Sequence, residues 1–165
     1  MSWRTLLTYW RAKHRAGQLP ARADLDPLIE IPGLVPNIFL IDRVGDAFRL
    51  RLVGSELALR ARTDLTGTIV NAANIDAPGV EAFVAFLGRA ARDRVPVLYA
   101  SAPGYQSSNG AIGVILPLAD DGMLLGGLFF DLPELSERTL PLFLSELTEL
   151  VIPNDLDDEP LRIRF

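Results

Sequence analysis

The sequence predicts an α+β domain: a five-stranded antiparallel sheet with helices on one face, preceded by an amphipathic N-terminal helix. Three observations predict it. Two strand-like runs joined by a polar turn fill 37–53, three more fill 97–132, and stretches with helical spacing lie before and between them. Runs linked by short turns pair antiparallel, and the two groups then close into one sheet around the intervening helices. The 165 residues suit one core, with a division into 1–17, 18–132 and 133–165. Hydrophobic residues at 49% against 22% charged exclude a disordered chain.

Trp3, Leu6, Leu7 and Trp10 fall at i, i+3, i+4 and i+7, one face of a helix that Ser2 can cap and Gly17 can end. That stripe is expected to dock on its own domain or on a twin subunit, and the four residues are candidates for a dimer interface. The opposite face carries Arg4, Arg11 and Arg15, so a basic helix lying on an anionic membrane is the alternative. Pro20, Pro27, Pro32 and Pro36 make 18–36 an extended crossing with at most a short helix near Asp26–Glu30. Strands are expected at Asn37–Val44 and Ala47–Val53. In the second, Phe48, Leu50 and Leu52 alternate with Arg49 and Arg51.

A short helix, Glu56–Arg62, follows a Ser55 cap, and Asp64-Leu65-Thr66-Gly67 is turn chemistry. After Pro78 a longer helix shows a stripe of Val80, Phe83, Val84, Leu87 and Ala91, with Arg89, Arg92 and Asp93 outward. Strands Val97–Ala102, Ala111–Leu118 and Met123–Leu132 complete the sheet, the last two joined at Asp120-Asp121-Gly122. Leu140–Val151 reads as a short helix, and Asp155–Glu159 as an acidic tail. The N-terminal helix is expected to lie outside the core.

Composition removes several chemistries. With no cysteine there are no disulfides, zinc ribbons, thiolate nucleophiles or cysteine-linked chromophores. The single histidine, His14, excludes any site needing two imidazoles, and its place near a helix end suits a C-terminal cap. No nucleotide-binding glycine loop occurs, and Gly126-Gly127 reads as close sheet–helix packing. Asp120-Asp121 and Asp157-Asp158-Glu159 lack the spacing of a calcium loop, so no metal is expected.

The net charge of −5 and pI near 4.9 argue against nucleic acid as a partner. The charge is uneven: residues 1–23 sum to +5 and residues 131–165 to −6. No apolar run reaches the ~18 residues of a membrane span, and Arg4 and Arg11 break any signal-peptide layout. A cytoplasmic location without stable membrane insertion is the expectation.

Several blocks together resemble a known family. Trp10, Leu19–Pro27 (LPARADLDP) and Leu34–Leu40 (LVPNIFL) open it, followed by Arg49–Ser55 (RLRLVGS), Asp64–Gly67 (DLTG) and Leu116–Leu118 (LPL). These are similar to the PAS-like family first described as a domain of unknown function in alphaproteobacteria, over roughly residues 6–132. Members often carry glycine just before the Asp-Leu-Thr-Gly block, where this chain has Ala61-Arg62-Thr63. The resemblance implies a PAS fold whose sheet and helices can enclose a small-molecule cavity. It also implies a sensory or interaction role in signal transduction, often as a homodimer through the N-terminal helix, and supplies no catalytic residues.

The lining of such a cavity is expected from Phe48, Leu50 and Leu52, from Phe83 and Leu87, and from Tyr99. Ile112, Val114 and Leu116, with Leu128, complete it, and Asn71, Tyr99 and Ser101 are the polar candidates. Haem held by a core-helix histidine is argued against, because Val80–Arg94 contains none. A non-covalent flavin or a metabolite remains open. The leading expectation is a non-catalytic module that binds a small ligand, a signalling protein partner, or both. The alternatives are a ligand-free dimeric interaction module with a filled core and a cone-shaped enzyme using an inward carboxylate.

Overall fold

The computed structural model describes residues 2–75, 79–101, 110–130 and 148–150. Helix α1 (Trp3–Ala12) is followed by a 3-10 turn (Arg22–Asp24), the short α2 (Pro27–Glu30) and a second 3-10 turn (Pro32–Asn37). Strands β1 (Ile38–Val44) and β2 (Ala47–Val53) lead to α3 (Ser55–Ala61) and α4 (Val80–Asp93). Strands β3 (Val97–Ser101), β4 (Ala111–Pro117), β5 (Leu124–Phe130) and β6 (Thr148–Leu150) follow. They form one sheet in the order β2-β1-β5-β4-β3-β6, with every pairing antiparallel. The five expected strands are all present. The sixth corrects the expected helix over Leu140–Val151, since Thr148–Leu150 is a strand; 131–147 and the acidic Asp155–Glu159 lie outside the described residues.

Both faces of the sheet are covered, so α1 is part of the core rather than outside it. Trp3, Leu6, Leu7, Tyr9 and Trp10 are buried against Leu98, Ile112, Val114, Leu116, Leu125 and Phe129. On the other face α4 packs Val80, Leu87 and Ala90 over Phe39, Ile41, Val97, Tyr99, Ile115 and Leu124. Successive strand residues point to opposite faces. Central β4 is therefore buried along its whole length and reads as an unbroken apolar run. Gly127 lets α1 approach: a Cβ there would lie 2.7 Å from Leu6 Cδ2.

Polar contacts fix α1 in place. The Trp10 indole N–H donates to the Pro117 carbonyl at 2.9 Å, joining residues 107 apart in sequence. The Tyr9 hydroxyl donates to Glu30 Oε2 at 2.6 Å and accepts from the Asp26 amide at 2.9 Å. Lys13 is ion-paired with the same Glu30. Hydrogen bonds from Lys13 and then Tyr9 hold the Glu30 carboxyl down at about 2, while burial first pushes the Tyr9 phenol up. Helix α1 ends at Ala12 rather than Gly17, and His14 Nδ1 lies 3.1 Å from the Trp10 carbonyl in the capping position expected of it.

Strand β2 carries a bulge that the alternation did not reveal. Ile41 pairs with Leu50 but Leu40 pairs with Leu52, leaving Arg51 as the extra residue. The phase of the strand flips there. Phe48 and Leu50 face α4, Leu52 turns outward at 43% exposure, and Val53 packs inward instead. Arg49 and Arg51 both bind Asp42, Arg49 through two bonds of 3.1 and 2.6 Å and Arg51 through one of 3.1 Å. These bonds, Arg49's foremost, hold the Asp42 carboxyl below the usual range.

Segment 67–70 runs along the outer edge of β2. The Gly67 amide donates to the Leu50 carbonyl, the Leu50 amide to the Thr68 carbonyl and the Val70 amide to the Phe48 carbonyl, at 2.7, 3.0 and 2.9 Å. The Asp-Leu-Thr-Gly turn that delivers it closes through Asp64 Oδ1, which accepts from the Thr66 amide at 2.9 Å. Before that turn, Gly54 rather than Ser55 is the N-cap of α3, and Arg62 ends the helix at φ +56°. Arg62 thus takes a left-handed conformation that glycine adopts without a Cβ clash. It costs an L-residue about 1 kcal/mol, part of which glycine loses again in chain entropy. Arg62→Gly is expected to raise stability by about 0.5 kcal/mol, read as a higher urea midpoint with an unchanged slope.

Candidate functional site

Aromatic rings pack together between the sheet and α4. Phe39 comes from β1, Tyr99 from β3, and Phe83 and Phe86 from α4, where i and i+3 share a face. Ring centroids lie 5.8 Å apart for Phe39–Phe83, and 5.7 Å apart for both Phe83–Tyr99 and Phe86–Tyr99. Phe39 and Phe83 meet edge to face at 80°, an arrangement the ring quadrupole favours.

Two glycines form the floor. Gly113 of β4 is the cross-strand partner of Tyr99, and Gly126 of β5 that of Phe39. A Cβ on Gly113 would lie 2.0 Å from Tyr99 Cζ, and one on Gly126 would lie 2.1 Å from Phe39 Cζ. Each ring therefore lies across the backbone of a neighbouring strand where no side chain stands in its way. Gly126-Gly127 thus serves both faces of the sheet, one residue under Phe39 and the next against α1.

Tyr99 is 3% exposed, and its hydroxyl has no hydrogen-bond partner among the described residues. Burial alone pushes its phenol up. No charged side chain is buried among the described residues, and the phenol is a polar group in an otherwise apolar lining.

The structure brings together Phe48, Leu50, Phe83, Leu87, Tyr99 and Leu128 of the expected lining. It removes others. Leu52 is turned out by the bulge. Val114 and Leu116, with Ile112, face α1, because β4 is apolar on both sides and its composition carries no alternation from which to choose the phase. Asn71 is exposed and closes a local turn, its Oδ1 accepting from the Asn74 amide at 2.9 Å. The Ser101 side chain lies outside the described residues. Trp3, Leu6, Leu7 and Trp10 are buried on the chain's own sheet, which removes that stripe as a free surface for a twin.

Sequence reasoning missed Phe39, Phe86 and Ile115. The signal for Phe39 was its spacing of two from Ile41, and for Phe86 its spacing of three from Phe83. Ile115 had none, for the reason given for its strand.

No helix of the described residues is long and apolar enough to cross a membrane. No cluster of three or more potential metal ligands occurs among them. Neither a curated protein nor a solved structure matches the chain. A family model described as a PAS domain matches residues 1–116, from α1 to the penultimate residue of β4. With more than two thirds of its length matched, an antiparallel sheet and the α4-covered aromatic floor, the chain belongs to the PAS domain family.

Proposed function

We propose that this protein is a sensory or regulatory PAS module that binds a small molecule between the sheet and α4 and passes occupancy to a protein partner without catalysing a reaction. The carrying observation is the group of four aromatic rings over two glycines, held where a PAS sheet faces its helices. Pockets for small ligands are apolar with a few directing polar groups, and Tyr99 supplies such a group. The lack of buried acids or bases among the described residues favours binding over chemistry.

A route for the signal follows from the shared sheet. Tyr99 faces α4 while its neighbours Leu98 and Ala100 face α1, and Gly126 and Gly127 divide in the same way. Displacing the rings therefore loads the strands on which α1 rests. A ligand shifts that equilibrium only by its different affinity for the two arrangements. Both tryptophans of the chain, Trp3 and Trp10, lie on α1, so indole emission reports its docking without a label.

The test is native mass spectrometry and an absorption spectrum of the purified protein, then thermal shift and tryptophan emission across a metabolite panel. A retained or added small molecule that raises the melting temperature and changes emission is the expected result. At a hundredfold excess over Kd, the ligand adds about 2.7 kcal/mol of stability. A ligand-free mass with no shift across the panel favours the second reading, a dimeric interaction module with a filled core. The ring contacts of 5.7–5.8 Å are what favour that alternative. We further propose a cytoplasmic homodimer whose contact lies away from the buried α1 stripe; a monomeric mass by light scattering at micromolar concentration is the contrary result.

A further inference from the structure

The lining described above restricts what it can hold. The described residues bury no cation to meet a carboxylate or phosphate and no anion to meet an amine. A bare charge taken from water into such a site costs several kcal/mol. The rings of Phe39, Phe83, Phe86 and Tyr99 offer flat apolar faces, and their floor has no side chain at Gly113 and Gly126. One polar group interrupts this surface. The Tyr99 hydroxyl sits over Gly113, near the middle of the sheet, with no partner among the described residues.

We propose that the ligand is an uncharged, flat molecule bearing a hydrogen-bond acceptor, and that the Tyr99 hydroxyl donates to that acceptor. This inference rests on the pocket reading of the preceding subsection and names the chemical class for it. The hydroxyl then serves as a selectivity device. An acceptor-bearing ligand pairs with this donor, which has no partner among the described residues, whereas a hydrocarbon of the same shape offers it none in the complex. Discrimination against ligands lacking a needed polar group arises in this way.

The probes are acetophenone, α-methylstyrene and benzoate. The first two have nearly the same shape, with a carbonyl oxygen in one and a methylene in the other; benzoate adds a charge. Binding to the full chain and to Tyr99→Phe is followed by saturation-transfer NMR titration. Acetophenone is expected to bind the unaltered chain about 5-fold more tightly than α-methylstyrene, the equivalent of a net hydrogen bond near 1 kcal/mol. In Tyr99→Phe that ratio falls to about one, and benzoate binds neither protein. Equal affinity for the two neutral probes in the unaltered chain, a preference that survives in Tyr99→Phe, or benzoate binding as well as acetophenone would each overturn the assigned class while leaving the pocket intact. If none of the three binds, the pocket reading fails and takes this inference with it.

Discussion

Trp10→Ala is expected to lower the unfolding free energy by about 4 kcal/mol, the range found when a buried large aromatic is truncated. Trp10 is 4% exposed and lies among Leu7, Leu116 and Leu118 in the core between α1 and the sheet. Its indole N–H also donates to the Pro117 carbonyl at the end of β4. Alanine leaves a cavity and a carbonyl without that donor. For a chain of this size the melting temperature should fall by roughly 8–16 °C, at about 2–4 °C per kcal/mol. Trp10→Phe separates the two causes, since it keeps most of the ring volume and loses the hydrogen bond, at about 1–2 kcal/mol. A loss below 1 kcal/mol for alanine would show that α1 is not docked on its own sheet, and its stripe would then be free for a twin.

Gly54→Ala should cost about 3 kcal/mol or more, although it adds a single methyl group. The glycine has an ordinary φ of −64°, so conformational freedom is not the reason. The reason is the path of the second 3-10 turn. A Cβ at residue 54 would lie 2.3 Å from the Pro36 carbonyl oxygen and 2.5 Å from that of Val35. Both obstacles are backbone, and the Gly54 amide is itself tied to the Ile38 carbonyl at 2.8 Å. Neither side can yield without moving β1, which carries Phe39. Urea denaturation checks the loss. Near-ultraviolet circular dichroism should also change in the aromatic bands, whereas a variant of unaltered stability and spectrum would mean the two segments do not cross at this distance.

The fold was legible where the physics is local. Alternation marked β2, the Asp-Asp-Gly turn marked the β4–β5 hairpin, where Gly122 takes φ +67°, and i, i+3, i+4 spacing marked α1 and α4. What stayed hidden depends on partners distant in sequence. The extra residue at Arg51 is defined only by its pairing with β1, so Leu52 looked inward. Whether Ile112 or Ile115 faces α4 depends on which layer covers each side of β4. An amphipathic helix states that it has an apolar face, not where that face goes; for α1 the answer lay with Pro117, 107 residues away. The aromatic floor was half legible for the same reason. Tyr99 and Phe83 announce themselves as large rings in apolar runs, but Gly113 and Gly126 gain their meaning only from the rings that cross them.

The strip 67–70 along β2 and the short β6 along β3 have a consequence for handling this protein. A sheet whose margins are a short strip and a three-residue strand offers little length for a stranger's chain to pair with, and such templating is how native sheets seed fibrils. Trimming the chain before Thr148, or loosening the Asp-Leu-Thr-Gly turn, would bare one of those margins. Turbidity on storage, rather than a lower melting point, should be the first sign of either change.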